Sequence, residues 1–258
     1  MLPFKDNQSL TSFLDQKVDE YNQFSFIERD PVCIPHRFSK KQDIEIAGFF
    51  AALLAWGNRT TIIQNAGRIM EAMDHSPHAF ILHHTEQDLK RFLDIKHRTF
   101  NATDLLYLIW FLKQHYTLHE SLEKAFLINN APTMKQRLID FHHYVFSFEH
   151  PERTRKHIST PAKNSACKRI NMYLRWMVRK DKSGVDFGIW NQIKMNELIC
   201  PMDVHVCNVA FRLGLMDQPK ANWKKAVELT DILKTFDSDD PCRYDFALFG
   251  LGAEERVR

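Results

Sequence analysis

The chain has 258 residues, a formal net charge of +3, 44% hydrophobic and 26% charged residues, the balance of a globular protein long enough to bury a real core. No window reaches the uninterrupted apolar length of a membrane span, and residues 1–7 lack an apolar secretory core. A soluble cytoplasmic protein without membrane contact is therefore expected. Eight glycines favour helices joined by polar turns over turn-rich β architecture. Cys33, Cys167, Cys200, Cys207 and Cys242 are scattered without a C-x-x-C pair. That spacing argues against a disulfide framework, a zinc ribbon and an iron–sulfur cluster, so neither metal nor cofactor is expected.

In chain order, residues 9–21 form a polar opening helix, and the proline-bounded stretch 30–36 is a connector. From Gln42 the chain is apolar almost all round through Trp56, which predicts a buried helix ending near Gly57-Asn58. Arg59 restarts a helix with Ile62, Ile63, Ala66, Ile69, Met70 and Met73 at helical spacing. Ser76-Pro77 breaks it before a short helix at Phe80. Thr103-Asp104 is expected to cap an apolar helix through Leu112. Further helices are predicted over 118–127, 134–148, 166–179, 223–236 and 244–251, with a turn at 160–164. There is no repeat, low-complexity tract or convincing strand pair. The fold class is all-α.

Charge is unevenly placed. Residues 153–182 hold ten Lys/Arg (Arg153, Arg155, Lys156, Lys163, Lys168, Arg169, Arg175, Arg179, Lys180, Lys182) against the single acid Asp181. Such a stretch on a nearly neutral chain suits a phosphate backbone, while its plainer reading is a solvated helix face. The histidine doublets His83-His84 and His142-His143 lack the i, i+4 spacing that chelates a metal and read as surface or capping residues.

Two side chains carry chemical interest. Lys168 lies in the first turn of a helix, after a turn whose backbone N–H groups suit a phosphate. The neighbouring charge of Arg169 favours the neutral, nucleophilic amine, as do adjacent apolar residues. Asp203 stands at the N-cap of a helix closed by Gly214 in an αL position. The helix dipole favours its ionised form, which suits an acid beside a developing cation. The bland readings are a solvated lysine and a cap worth about 1 kcal/mol.

Pro201-Met202-Asp203-Val204-His205-Val206, followed by Ala210-Phe211-Arg212-Leu213-Gly214, resembles the segment that bears the catalytic aspartate in helix-hairpin-helix DNA glycosylases. Its Asp-Val-His core is closest to the 8-oxoguanine branch. Lys168 stands where bifunctional members carry the lysine nucleophile. The run Leu53-Leu54-Ala55-Trp56-Gly57-Asn58-Arg59-Thr60 is similar to their early helix and base-pocket loop. Cys167 to Arg179, with Val185-Asp186-Phe187-Gly188-Ile189-Trp190, resembles more closely a bacterial family related to that superfamily, a likeness that extends over about 26–252. The leucine-proline-glycine-x-glycine hairpin signature is replaced by Ser159-Thr160-Pro161-Ala162-Lys163-Asn164-Ser165, in which Asn164 can adopt αL.

The resemblance implies a two-lobed helical fold with a central cleft, one lobe being 1–56 plus 195–258 and the other 57–194. It implies a base-excision glycosylase with AP-lyase activity on an oxidised purine such as 8-oxoguanine. Lys168 would form a Schiff base at the sugar C1′, assisted by Asp203 across the cleft. Lys163, Asn164, Ser165, Arg169 and His205 would hold DNA, and Trp56, Asn58, Phe187 and Trp190 would line the base pocket. The partner would be double-stranded DNA containing a damaged base, bound by a monomer at the nucleoid. Two other classes fit the same residues: a non-catalytic DNA-binding protein on this fold, and a helical protein-interaction scaffold.

Overall fold

The structure, a computed structural model, describes residues 6–253. Over that range the chain is all-α, with no strand and an isolated bridge between His97 and Phe100. The described helices are α1 (Asn7–Tyr21), α2 (Phe24–Ile27), α3 (Lys41–Leu54), α4 (Arg59–Ala72), α5 (Pro77–His83), α6 (Glu86–Leu89), α7 (Ala102–Leu118), α8 (Met134–Val145), α9 (Lys168–Val178), α10 (Val204–Arg212), α11 (Trp223–Leu233) and α12 (Tyr244–Ala253). None of them is long and apolar enough to cross a membrane.

Contacts divide the described chain into two compact units. One joins the residues up to Phe26 to those from Thr160 onward; the other is Ile27–Ser159. These borders differ from the expected 56/57 and 194/195, for two physical reasons. The buried helix α3 packs on α4 and α5, so it belongs with those helices and not with α1. Arg175 of α9 and Arg179 just after it pair with Asp245 and Asp240, which draws α9 to the C-terminal segment.

In the Ile27–Ser159 unit every residue of α3 from Ile44 to Leu54 is buried. Glu45 is among them, and its carboxylate accepts hydrogen bonds from the Tyr116 hydroxyl at 2.8 Å, the Leu122 N–H at 3.1 Å and the Ser121 hydroxyl. A buried carboxylate needs such partners. They also explain a departure from expectation: 118–127 is not an α-helix. The helix α7 runs on to Leu118, and Ser121 and Leu122, tied to Glu45, open a short 3-10 turn at Leu122–Phe126 instead. The cap of α7 likewise differs. Asn101 takes that place, and Asp104 sits at the third helical position, buried against Arg153 at 2.6 Å and Thr154 at 2.8 Å. The expected helix end at Gly57-Asn58 falls earlier, at Leu54, because the Asn58 side chain caps α4 by accepting the Thr61 N–H at 3.1 Å.

The other unit is built on α12, which packs against both α1 and α10. Its residues from Tyr244 to Leu248 and from Gly250 to Gly252 are buried. Gly250 admits the Tyr21 ring of α1: a Cβ there would lie 2.3 Å from the ring. Phe246 meets Phe26 edge-on at 5.5 Å.

Candidate active site

The helix α10 begins as its sequence predicts. Asp203 has extended N-cap geometry, and its Oδ1 accepts from the backbone N–H groups of His205 (2.9 Å) and Val206 (3.0 Å). At the far end Gly214 has φ +74° and the Leu215 N–H returns to the Ala210 carbonyl, an αL closure. Because Oδ1 takes both cap hydrogen bonds, Oδ2 is left facing outward from the cap.

Lys168 reaches that second oxygen. It is the first residue of α9, and its Nζ lies 3.9 Å from Asp203 Oδ2, with side-chain exposures of 26% and 24%. Both residues belong to the same unit, not to opposite lobes as expected. An ion pair this open and this long contributes at most about 1 kcal/mol to stability. Stability alone therefore gives little reason to place an amine beside the free oxygen of a cap.

The turn before Lys168 is built from local bonds. Thr160 caps the 3-10 turn Pro161–Lys163, and Asn164 closes it in αL with φ +55°. Ser165 Oγ accepts the Cys167 N–H at 3.1 Å, and the Asn171 amide donates to the Ala166 carbonyl at 3.0 Å. Cys167, buried and also αL at φ +51°, is the N-cap of α9 and supplies no side-chain cap. A non-glycine residue in αL is strain held by its surroundings. Lys163 and Asn164 are exposed, Ser165 and Arg169 half-buried. Burial pulls the Arg169 guanidinium down to about 10, leaving it charged at neutral pH.

The basic stretch is not one phosphate-facing strip. Arg175 and Arg179 are buried, at 4% and 2% exposure. Arg175 is paired with Asp245 and with Asp186 at 3.3 Å, and Arg179 with Asp181 at 2.6 Å, Asp240 at 2.9 Å and Asp186 at 3.2 Å. Arg153 is held by Asp104 in the Ile27–Ser159 unit. Linear charge density misses this because the acids lie up to seventy residues away. Buried arginines of this kind are satisfied structural charges.

The remaining expected site residues are divided between the two units. His205 is exposed one position into α10, its ring 6.4 Å from that of Phe249. Phe187 is half-buried, and its N–H donates to the Trp176 carbonyl at 2.7 Å, at the end of α9. Trp190 is core, not a stacking surface: it is 2% exposed and its ring meets Tyr173 edge-on at 5.4 Å. Trp56 and Asn58 lie in the Ile27–Ser159 unit. There the half-buried Trp56 ring stacks on His97 (5.9 Å, 28°) and tilts onto His157 (5.6 Å), while Asn58 serves as the α4 cap.

The buried Arg175–Asp245 pair, in the unit of Lys168 and Asp203, was not expected. The signal for Arg175 was its place seven residues after Lys168, hence on the same face of α9; nothing local marked Asp245. Among the described residues no group of three or more His, Cys, Asp or Glu side chains is arranged to hold a metal. Burial pushes the thiols of Cys200 and Cys242 well up, and that of Cys207 up to about 11, far from the range of a reactive thiolate.

No curated protein and no solved structure matches the chain. One family does, over residues 30–254, and its description is "Protein of unknown function (DUF2400)". That match spans most of the 258 residues, and the chain belongs to this family.

Proposed function

We propose that this chain is a DNA base-excision glycosylase with AP-lyase activity, on a helix-hairpin-helix glycosylase-like fold, acting as a monomer on double-stranded DNA with an oxidised purine such as 8-oxoguanine. The observation that carries the reading is the approach of Lys168 Nζ to the uncapped oxygen of Asp203, at 3.9 Å and partly open to solvent. An amine and a carboxylate in that relation fit a lysine nucleophile and the base that takes up the proton it releases on attack. The motif likeness of residues 201–214 and the αL turn at Asn164 support the same reading.

In the first step the damaged nucleotide is extruded from the duplex so that its C1′ is accessible. The neutral amine of Lys168 donates its lone pair to C1′ as the C1′–base bond breaks, and the base leaves with that bond's electrons and takes up a proton. Asp203 carries negative charge beside the oxocarbenium-like transition state and then accepts the proton lost by the new C1′ amine. Opening of the sugar ring converts the adduct to a Schiff base. Loss of a C2′ proton then expels the 3′-phosphate. Lys163 and its exposed neighbours would hold the backbone at the preceding turn.

Borohydride trapping on a duplex containing 8-oxoguanine tests this directly. A covalent protein–DNA adduct is expected, absent in Lys168→Gln and slowed on the order of 10²–10⁴-fold in Asp203→Asn. An adduct that persists in Lys168→Gln would remove Lys168 as the nucleophile. Lesion-independent binding by both the native chain and Lys168→Gln, with no adduct from either, would leave a DNA-binding protein without catalysis.

A further inference from the structure

Two glycines bring α12 close to two different helices. Gly250 and Gly252 are two residues apart, so they point to nearly opposite sides of the helix, and α12 packs on α1 and on α10. Gly250 receives the Tyr21 ring of α1. Gly252 meets His205, in the first turn of α10: a Cβ there would lie 2.8 Å from the His205 Cβ, 3.2 Å from its carbonyl oxygen and 3.3 Å from its carbonyl carbon. Ordinary contact begins at 3.4 Å. Any side chain at 252 would therefore part the two helices by roughly half an ångström, because backbone atoms cannot rotate out of its way.

The residue pressed upon is one of the two that hold Asp203. The His205 N–H donates to Asp203 Oδ1 at 2.9 Å, and the same carboxylate presents Oδ2 to Lys168 Nζ at 3.9 Å. A shift of the first turn of α10 is thus a shift of the carboxylate against the amine. Groups that react together tolerate little of this, a misplacement of about 1 Å costing on the order of 10²-fold in rate. We propose that Gly252 is a positioning residue of the Lys168–Asp203 pair: with no Cβ, it lets α12 seat against the first turn of α10 and so sets the carboxylate within reach of the lysine. The purpose of that arrangement rests on the proposed lysine chemistry, but the contact from α12 through His205 to Asp203 is made in the free protein.

Carbodiimide coupling of the whole chain reads the pair without DNA. The reagent activates the Asp203 carboxyl, Lys168 Nζ attacks the carboxyl carbon, an amide forms and the reagent leaves as its urea. Mass spectrometry of the digest follows the joined peptides over time. Gly252→Ala is expected to slow this coupling about tenfold. Gly250→Ala, which crowds α1 instead, is expected to lose stability and keep the native coupling rate, a separation that general loosening of α12 would not produce. Adding His205→Gly to Gly252→Ala removes the nearest atom and is expected to restore most of the rate. An unchanged rate in folded Gly252→Ala, an equal slowing in Gly250→Ala, or no coupling in the native chain overturns the proposal. Should Gly252→Ala not fold, the double variant decides: coupling near the native rate upholds the contact, and slow coupling or a second failure to fold overturns it. Borohydride trapping is read alongside. A native chain that couples, slows in Gly252→Ala and yet traps no DNA removes the glycosylase reading and leaves the positioning contact standing.

Discussion

Asp203 divides its work between two oxygens: Oδ1 satisfies two N–H groups at the start of α10, and Oδ2 meets Lys168. A helix cap and a catalytic carboxylate are thus compatible in one residue, since the cap fixes the side chain without using up its outer face. In the turn ahead of Lys168, Asn164 contributes through its backbone. Asn164 occupies αL at φ +55°, a region that glycine enters freely and a β-branched residue enters only with strain. Asn164→Gly is expected to leave the urea midpoint nearly unchanged, whereas Asn164→Val should cost about 1–2 kcal/mol. Equal loss in both would mean that the asparagine side chain, and not its backbone, holds the turn. The αL state of Asn164 was readable because asparagine is one of the few residues that adopts it. Cys167 shares that geometry with nothing in its residue type to announce it. Its conformation is imposed by Ser165, by the Asn171 amide and by burial.

At the scale of elements, the legible features came from periodicity and caps, and the illegible ones from distant partners. The ends of α10 were fixed by Asp203 and Gly214, both local signals. The fate of Arg175 and Arg179 was not, because their acids arrive from the loop after α9, from Asp240 and from α12. A run of positive charge therefore contains both solvent-facing and structural members, and only the fold sorts them. Trp190 shows the same limit, since an aromatic in a loop reads equally as core or as a stacking surface. Gly250 is a third case, a helix-interior glycine whose purpose appears only with Tyr21 against it. Gly250→Ala adds helix propensity of roughly 1 kcal/mol but sets a methyl where the ring lies. Overpacking of this kind typically costs about 1–3 kcal/mol. Thermal melts should show Gly250→Ala less stable than the native chain, and Tyr21→Ala combined with it should recover part of the loss. A more stable Gly250→Ala would show that α1 yields to the methyl without strain.

For the molecule as a whole, the all-α class was legible in low glycine content and helical spacing, whereas the border between units follows from the helices α3 packs on and from the ion pairs that tie Arg175 and Arg179 to Asp245 and Asp240. Acid stability is decided within a unit, and in Ile27–Ser159 a histidine is central to it. His115 on α7 is fully buried, its Nε2 donating to the Ser121 carbonyl at 3.0 Å and its Nδ1 facing the Tyr144 hydroxyl at 3.1 Å. A carbonyl can only accept, so the proton sits on Nε2 and Nδ1 accepts from Tyr144. Burial lowers the ring from 6.5 to about 4, with the nearby His119 adding to the effect. The folded chain thus binds this proton less readily than the unfolded chain does. Its contribution is fully present above about pH 6.5 and is lost as pH falls through that value toward 4. The gap corresponds to about 3 kcal/mol. His115→Gln keeps a donor for the Ser121 carbonyl and cannot titrate. Between neutral pH and about pH 4.5 the native chain should lose on the order of 2–3 kcal/mol more than this variant, measured by urea unfolding. Equal losses would assign the acid sensitivity of the unit to groups other than His115.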